Sequence, residues 1–332
     1  MSNTVRIDPQ AFKPPILTQR YVELQAWLEQ ELAAPLQVRM LPADASFRLY
    51  YRIFAKQQTY IAMDSPPDKE SCDSFVSIAR AFKQKDINTP KIYAEDFSRG
   101  FLLLEDLGDR LYFRELTAEN VGQLYLCAFQ TLLKIQQANI ELPLYNENLL
   151  LTELNLCTDW YITQYLKINL NAEQKNELHF IFSRLIEEAL AQPQVNVHRD
   201  YHSRNLLVCD QDVGVLDFQD AVQGPITYDL VSLLKDCYID WPRVQVEKWV
   251  KHYWDLLLQK KVLTNVGFTE FLRWFDLMGL QRHLKCLGIF SRKFLRDQNE
   301  NYLQDIPRLV NYIKWVCQQY PDFKPLLTYL QV

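Results

Sequence analysis

Residues 195–220 restrict the fold more than any other stretch, because a loop dense in reactive side chains there must feed a β-hairpin. Val195 and Val197 form a short apolar entry. His198-Arg199-Asp200-Tyr201-His202-Ser203-Arg204-Asn205 follows and holds two of the five histidines in the chain. Leu206-Leu207-Val208 reads as a strand, Asp210-Gln211-Asp212 as a turn, and Val213–Leu216 as the return strand, ending at Asp217-Phe218-Gln219-Asp220. The two ends of an antiparallel pair lie side by side, so Asn205 at the entry and Asp217 at the exit converge on one point. An amide oxygen and a carboxylate are hard ligands suited to Mg²⁺, which takes its other ligands from water and substrate phosphates. Asp200, earlier on the same loop, is free to face an incoming hydroxyl.

Phosphoryl transfer asks for this set and little more. Two groups hold the metal on the phosphates, and one carboxylate orients the attacking hydroxyl and accepts its proton. The loose transition state makes positioning and charge neutralisation outweigh covalent chemistry. The run fits H-R-D-x-x-x-x-N with a following D-F-x, the spacing of a kinase catalytic hairpin. His198 reads as an architectural residue that braces the loop.

The rest of the chain divides by texture. Before about residue 104 it is β-rich, with strand-like runs near 37–41, 47–54, 59–63, 91–94 and 100–105, and helical periodicity over 18–33 and 69–85. After Gly108 it reads almost wholly helical, with segments at 118–138, 152–168, 172–191, 227–238, 243–260, 269–286 and 303–320. Asn171 with Gln174 resembles a capping box. The expected class is α+β. Residues 1–104 form a small lobe with an antiparallel sheet, one main helix and a phosphate-covering loop. Residues 105–332 form a larger helical lobe with the catalytic loop and the substrate site.

Composition removes competing classes. Eight glycines in 332 residues is roughly a third of the usual ~7%, and none precedes Gly100. Neither G-x-G-x-x-G nor G-x-x-x-x-G-K-[ST] occurs, so the dinucleotide and Walker-type readings lose their main motif. A net charge of -5 gives no basic field for nucleic acid or an anionic membrane. The seven cysteines contain no C-x-x-C, which points to free thiols in a reducing compartment. No apolar run approaches the ~20 residues of a membrane span. The expectation is a cytoplasmic monomer with a small-molecule substrate.

The pattern H-x-D-x-H-x-x-N, then D-F-x-D, then Gly224-Pro225-Ile226-Thr227-Tyr228-Asp229-Leu230, resembles the aminoglycoside phosphotransferase and choline kinase superfamily, protein-kinase-like folds that act on small molecules. His202 and the G-P-x-x-Y-D-L run favour this group over protein kinases, and no A-P-E is present. The resemblance makes Asp229 a structural brace at a helix N-terminus. Further segments are similar to the bacterial anomeric kinases of N-acetylmuramate and N-acetylglucosamine: Asp44-Ala45-Ser46-Phe47-Arg48, Met63-Asp64-Ser65-Pro66-Pro67, Gly100–Gly108 and Gly279–Lys285.

What that resemblance implies is specific. Asp200 would be the catalytic base, and Asn205 and Asp217 the metal ligands. ATP would lie between the lobes, its adenine on the connector at Leu104, Glu105, Asp106 and Leu107, its phosphates under Ser46 and Phe47. The strand expected to carry a phosphate-binding Lys has Ala62 or Met63 instead. Arg48 or Arg52 could supply the cation; a solvated or Glu-paired Arg is the alternative for each. The amino-sugar site would include His202, Arg204, Asp220, Arg282 and His283. Arg282 stands in an apolar helix and needs a partner, either a substrate carboxylate or Asp276 or Glu270. Two other readings stay open: a kinase of an aminoglycoside or choline-type acceptor, and a non-catalytic nucleotide-binding pseudokinase.

Overall fold

A computed structural model describes residues 18–42, 47–138, 140–210 and 212–331. The chain forms two compact units, Met1–Asp109 and Arg110–Val332, so the connector Glu105–Asp109 goes with the first. None of the helices described is long and apolar enough to cross a membrane.

In the first unit α1 (Gln19–Leu32) is capped by Thr18, whose side chain accepts the Tyr21 N–H at 3.1 Å. Strands β1 (Gln37–Met40), β2 (Leu49–Ala55) and β3 (Gln58–Asp64) form a meander, α2 (Asp73–Lys83) follows, and β4 (Ile92–Asp96) and β5 (Phe101–Glu105) complete the sheet. The strand order is β1-β2-β3-β5-β4, antiparallel throughout. Leu24, Trp27 and Leu28 of α1 share a core with Ile53, Ala62 and Phe101 of the sheet. The 3.6-residue stripe of the helix meets the alternating face of the strands.

The second unit begins with α3 (Tyr112–Glu115), α4 (Val121–Gln136) and α5 (Glu147–Leu156). The single helix expected over 152–168 instead starts at Glu147, where Asn146 accepts the Leu149 N–H at 3.0 Å. It passes into a π-helical stretch, Cys157–Tyr165. α6 (Ala172–Leu190) carries the capping box of Asn171 and Gln174. β6 (Gln194–Val197) then leads into the loop. β7 (Leu206–Cys209) and β8 (Asp212–Val215) pair with Leu206 opposite Val215, and β9 (Val222–Pro225) returns beside β6. β9 carries no strand-like run. An added Cβ at its Gly224 would lie 3.0 Å from the Tyr145 side chain, tighter than an ordinary contact. α7 (Tyr228–Leu234), α8 (Arg243–Gln259), α9 (Phe268–Asp297), α10 (Ile306–Gln319) and α11 (Leu326–Leu330) complete the unit.

α9 is thirty residues long, well beyond the expected 269–286. It is buried on nearly every face because α5, α6, α7, α8, α10 and the π-helical stretch surround it. Gly288 lets it approach the junction of α5 and the π-helix, where an added Cβ would stand 2.3 Å from the Leu156 carbonyl carbon and 2.6 Å from the Cys157 nitrogen. Backbone cannot yield as a flexible side chain does, so Gly288→Ala should destabilise the protein by about 1–3 kcal/mol. Thermal unfolding followed by circular dichroism checks this, and an unshifted midpoint would contradict the contact.

Candidate active site

The loop between β6 and β7 is held by its backbone. Asp229, buried in the first turn of α7, accepts the N–H groups of His198 at 2.7 Å and Arg199 at 3.0 Å. Arg199 sits at φ +74°, a conformation a non-glycine residue adopts only where surrounding bonds over-determine it. His198 is buried, and its Nδ1 accepts the Asp200 N–H at 3.2 Å, which assigns the ring proton to Nε2, donated to the Leu216 carbonyl at 2.9 Å. Burial lowers this histidine to about 4, so it stays neutral and acts as the brace expected of it. Further along, Asp236 accepts the Ser203 N–H at 2.9 Å.

Asp200, Asn205 and Asp217 come together at the mouth of the hairpin. The Asn205 amide nitrogen donates to the Asp200 carbonyl at 3.0 Å and to the Asp217 carboxylate at 3.2 Å. Gln219 fixes the other Asp217 oxygen at 2.9 Å. Loss of water around Asp217, then the Asp200 carboxylate, raise its pKa, a crowding of negative charge that a cation would relieve. Among the described residues no group of three or more His, Cys, Asp or Glu could hold a metal alone. Two oxygens suit an ion that draws its remaining ligands from water and phosphates.

Asp200 itself is held ionised. Desolvation pushes it up, but Lys285, His202, Arg282 and His198 outweigh that and bring it down to about 2. Lys285 was not among the expected site residues. It pairs with buried Glu153 at 2.9 Å, and Glu153 also takes Arg199 at 2.6 Å, Gln281 at 3.2 Å and the Tyr145 hydroxyl. A lysine inside the apolar stretch of α9 and a glutamate inside Leu149–Leu156 each demand a partner. That demand was the available signal; the pairing belongs to tertiary structure.

The remaining expected residues distribute unevenly. Arg204 lies 3.5 Å over the Tyr238 ring and 4.9 Å from Phe113, and the His202 ring meets Tyr238 edge-on at 5.4 Å. His202 is buried and its pKa lowered by that burial. Asp220 is exposed, with its carbonyl accepting from Arg199 at 3.4 Å. Arg282 is buried and donates to the Cys237 sulfur at 3.1 Å. Its expected structural partner Asp276 is taken by Lys235 at 2.7 Å and Arg243 at 2.6 Å. His283 requires correction. It is 0% exposed, its Nε2 meets the Lys235 carbonyl at 3.0 Å, and its ring stacks on Tyr312, so it packs the core instead of lining a sugar site.

In the first unit Ser46 lies outside the described residues, and Phe47 is exposed. Arg48 meets Glu70 at 3.8 Å and the Ser71 carbonyl at 3.5 Å. Arg52 is locked to Asp106 at 2.7 Å and Asp109 at 2.6 Å and also reaches the Gly108 carbonyl at 3.3 Å. It braces the connector and is not an uncommitted phosphate cation. Leu104 is buried opposite Ile61, Glu105 accepts the Lys91 N–H at 3.1 Å, and Leu107 is half-buried.

The chain matches the model of the phosphotransferase enzyme family over residues 37–260. It is 39% identical to the N-acetylmuramate/N-acetylglucosamine kinase of Pseudomonas putida, over 92% of this chain and 94% of that one. The enzyme of the same name from Neisseria meningitidis is 37% identical over 94% and 95%. Among solved structures it is similar to a Plasmodium vivax ethanolamine kinase (TM-score 0.65, 13% identity, 92% and 89% covered). It is also similar to the ADP-bound aminoglycoside phosphotransferase APH(2'')-Ib (TM-score 0.61, 16% identity, 89% and 98% covered). These likenesses show the two-lobed protein-kinase-like α+β fold.

The burial of His283 has a measurable consequence. Burial takes its pKa from 6.5 to about 3. The unfolded chain therefore binds a proton below pH 6.5 that the native chain refuses. That contribution to stability is complete above 6.5 and falls as the pH drops toward 3. His283→Gln removes one such proton, so the loss of stability between pH 6.5 and 5.5 should shrink by about 1 kcal/mol. Urea unfolding of both proteins at the two pH values tests this; parallel losses would mean that His283 titrates in water.

Proposed function

We propose, from the premise that the chain belongs to the phosphotransferase enzyme family, that it transfers the terminal phosphoryl group of ATP to the anomeric hydroxyl of N-acetylmuramate or N-acetylglucosamine. The supporting observation is the tie of Asn205 to both Asp200 and Asp217, which gathers base and metal ligands at one hairpin mouth. The acceptor class comes from the relatives that carry this activity in their names.

In this reading Asp200 receives the anomeric proton. A carboxylate held near 2 is a weak base. A hemiacetal hydroxyl is more acidic than an ordinary alcohol, so orientation supplies most of the rate. Asn205 and Asp217 would hold Mg²⁺, which would neutralise charge on the phosphates. Residues 1–104 would cover the nucleotide, with Phe47, Arg48 and the connector residues 104–107 against it. His202, Arg204, Asp220 and Arg282 of the 105–332 lobe would face the sugar. The protein would act as a monomer in the cytoplasm, with which its free thiols agree.

Incubation with MgATP and N-acetylmuramate should consume the reducing end and yield ADP with a sugar 1-phosphate. Asp200→Asn should cut turnover about 10²–10⁴-fold and leave nucleotide affinity intact. Turnover only of aminoglycoside or choline acceptors would overturn the substrate class. Nucleotide binding without any turnover would overturn the enzyme reading, and an unchanged Asp200→Asn would move the base elsewhere.

A further inference from the structure

Arg204 stands inside the catalytic loop, one residue before Asn205 and four after Asp200. A turn closed by the Asn205 N–H on the His202 carbonyl at 2.9 Å carries it at its third position. Phe113 and Tyr238 meet at 6.3 Å and 81°, and the Arg204 guanidinium sits in the corner they form, 3.5 Å over Tyr238 and 4.9 Å from Phe113. Both rings are themselves held. The Phe113 N–H donates to the Ser203 carbonyl at 2.9 Å, and Tyr238 stacks on Phe290 and takes the His202 ring edge-on. Phe113 is exposed and Arg204 half-buried, so the corner opens to solvent.

A guanidinium resting on a ring face at 3.5 Å uses none of its N–H donors there, and the planar fork at its rim matches a carboxylate. Among the described residues no protein acceptor takes those donors: Arg204 has its two ring contacts and neither an ion pair nor a hydrogen bond. Arg52, Arg199 and Arg243 by contrast each hold a carboxylate at 2.6 Å. Asp236, the acid of the adjoining segment, gives its two oxygens to the Ser203 and Tyr238 N–H groups, each at 2.9 Å. Arg282 also lacks a carboxylate, but it is 2% exposed and donates to the Cys237 sulfur, so an incoming ligand meets Arg204 and not Arg282.

We propose that Arg204 is the specificity-determining residue of the acceptor site, its open donors taking the lactyl carboxylate that N-acetylmuramate carries and N-acetylglucosamine lacks. The assignment rests on the kinase reading above. The lactyl ether stands two ring carbons from the anomeric one, so the base and the group that reads the carboxylate must be neighbours in space. Asp200 and Arg204 share one turn-closed loop. The ring contacts hold the arginine before the ligand arrives, which lowers the entropy lost on binding. The same fixed cation disfavours aminoglycoside and choline acceptors, which are positive themselves.

Steady-state turnover of both sugars with MgATP, by the full chain and by Arg204→Gln, tests the assignment. The ratio of kcat/KM for N-acetylmuramate to that for N-acetylglucosamine should fall about 10–100-fold in Arg204→Gln, chiefly through a higher KM for N-acetylmuramate. Arg204→Lys keeps the charge without the fork and should recover part of the ratio. An equal loss for both sugars would overturn the assignment, because an arginine that serves the transferred phosphate or the shape of the loop affects both alike. An unchanged ratio would overturn it too. Failure of the unsubstituted chain to turn over either sugar would defeat the kinase reading, and calorimetric titration with N-acetylmuramate would then decide the carboxylate site. Binding weakened in Arg204→Gln would uphold it. Binding absent from the unsubstituted chain, or equally tight in Arg204→Gln, would end it.

Discussion

The two bonds from the Asp229 carboxylate to the backbone of His198 and Arg199 are the constraint on which the site depends. A loop between two short strands of different sheets has no ladder of its own to fix it, and its amide groups would otherwise be left without partners away from water. The first turn of α7 supplies the acceptor, and with both N–H groups engaged Arg199 is held at positive φ. That kink turns the chain so that His198 faces inward to the Leu216 carbonyl while Asp200 faces the hairpin mouth. The short pairing of β6 with β9 matters for the same reason, because β9 delivers the chain to the start of α7.

Charge fixes what backbone geometry leaves loose. Glu153 is buried against two cations, Arg199 and Lys285, so that cluster carries an excess positive charge in a region that tolerates little. Arg282 adds another on the same helix. Asp200 is the carboxylate that Lys285 and Arg282 act on beyond Glu153, and it remains ionised against the cost of its own burial. Lys285 and Arg282 of α9 therefore set the protonation state of the group that would receive the acceptor's proton.

Much of this was legible in the residues themselves. The hairpin and its two metal-ligand candidates follow from local alternation and turn chemistry, which do not depend on the rest of the chain. The β-rich and helical halves are legible for the same reason. What was not legible depends on partners distant in sequence. Glu153 and Lys285 are separated by most of a lobe. The pairing of Arg52 with Asp106 and Asp109 requires β2 to lie beside the connector. The π-helical stretch adds a residue per turn and blurs a 3.6-residue reading. α9 shows no clear single face because it has almost no solvent face, so its true length was hidden. His283 looked reactive because an isolated histidine in an apolar helix can be a ligand or a packed ring, and only the stacking on Tyr312 distinguishes them.

A second buried cluster in the same lobe shows why the first bears on chemistry. Asp276 also faces two cations, Lys235 and Arg243, deep inside the protein. There Glu247 pairs with Arg243 at 2.6 Å, so two carboxylates balance two cations. Aromatic faces absorb the remaining field: Arg243 lies 4.0 Å over the Trp315 ring and Lys235 4.8 Å from that of Phe275. That arrangement balances its charge within itself. Around Glu153 aromatic faces also meet the cations, Arg199 at 5.6 Å from the Tyr145 ring and Lys285 at 5.8 Å from that of Tyr228, but no second carboxylate of the cluster balances them, and Gln281 adds a donor and not charge. Its balance runs through Asp200, a residue that is itself only half-buried. A buried ion cluster that achieves neutrality only with a carboxylate at the edge of the fold transmits its charge to a place where a substrate can arrive, and a self-contained one does not.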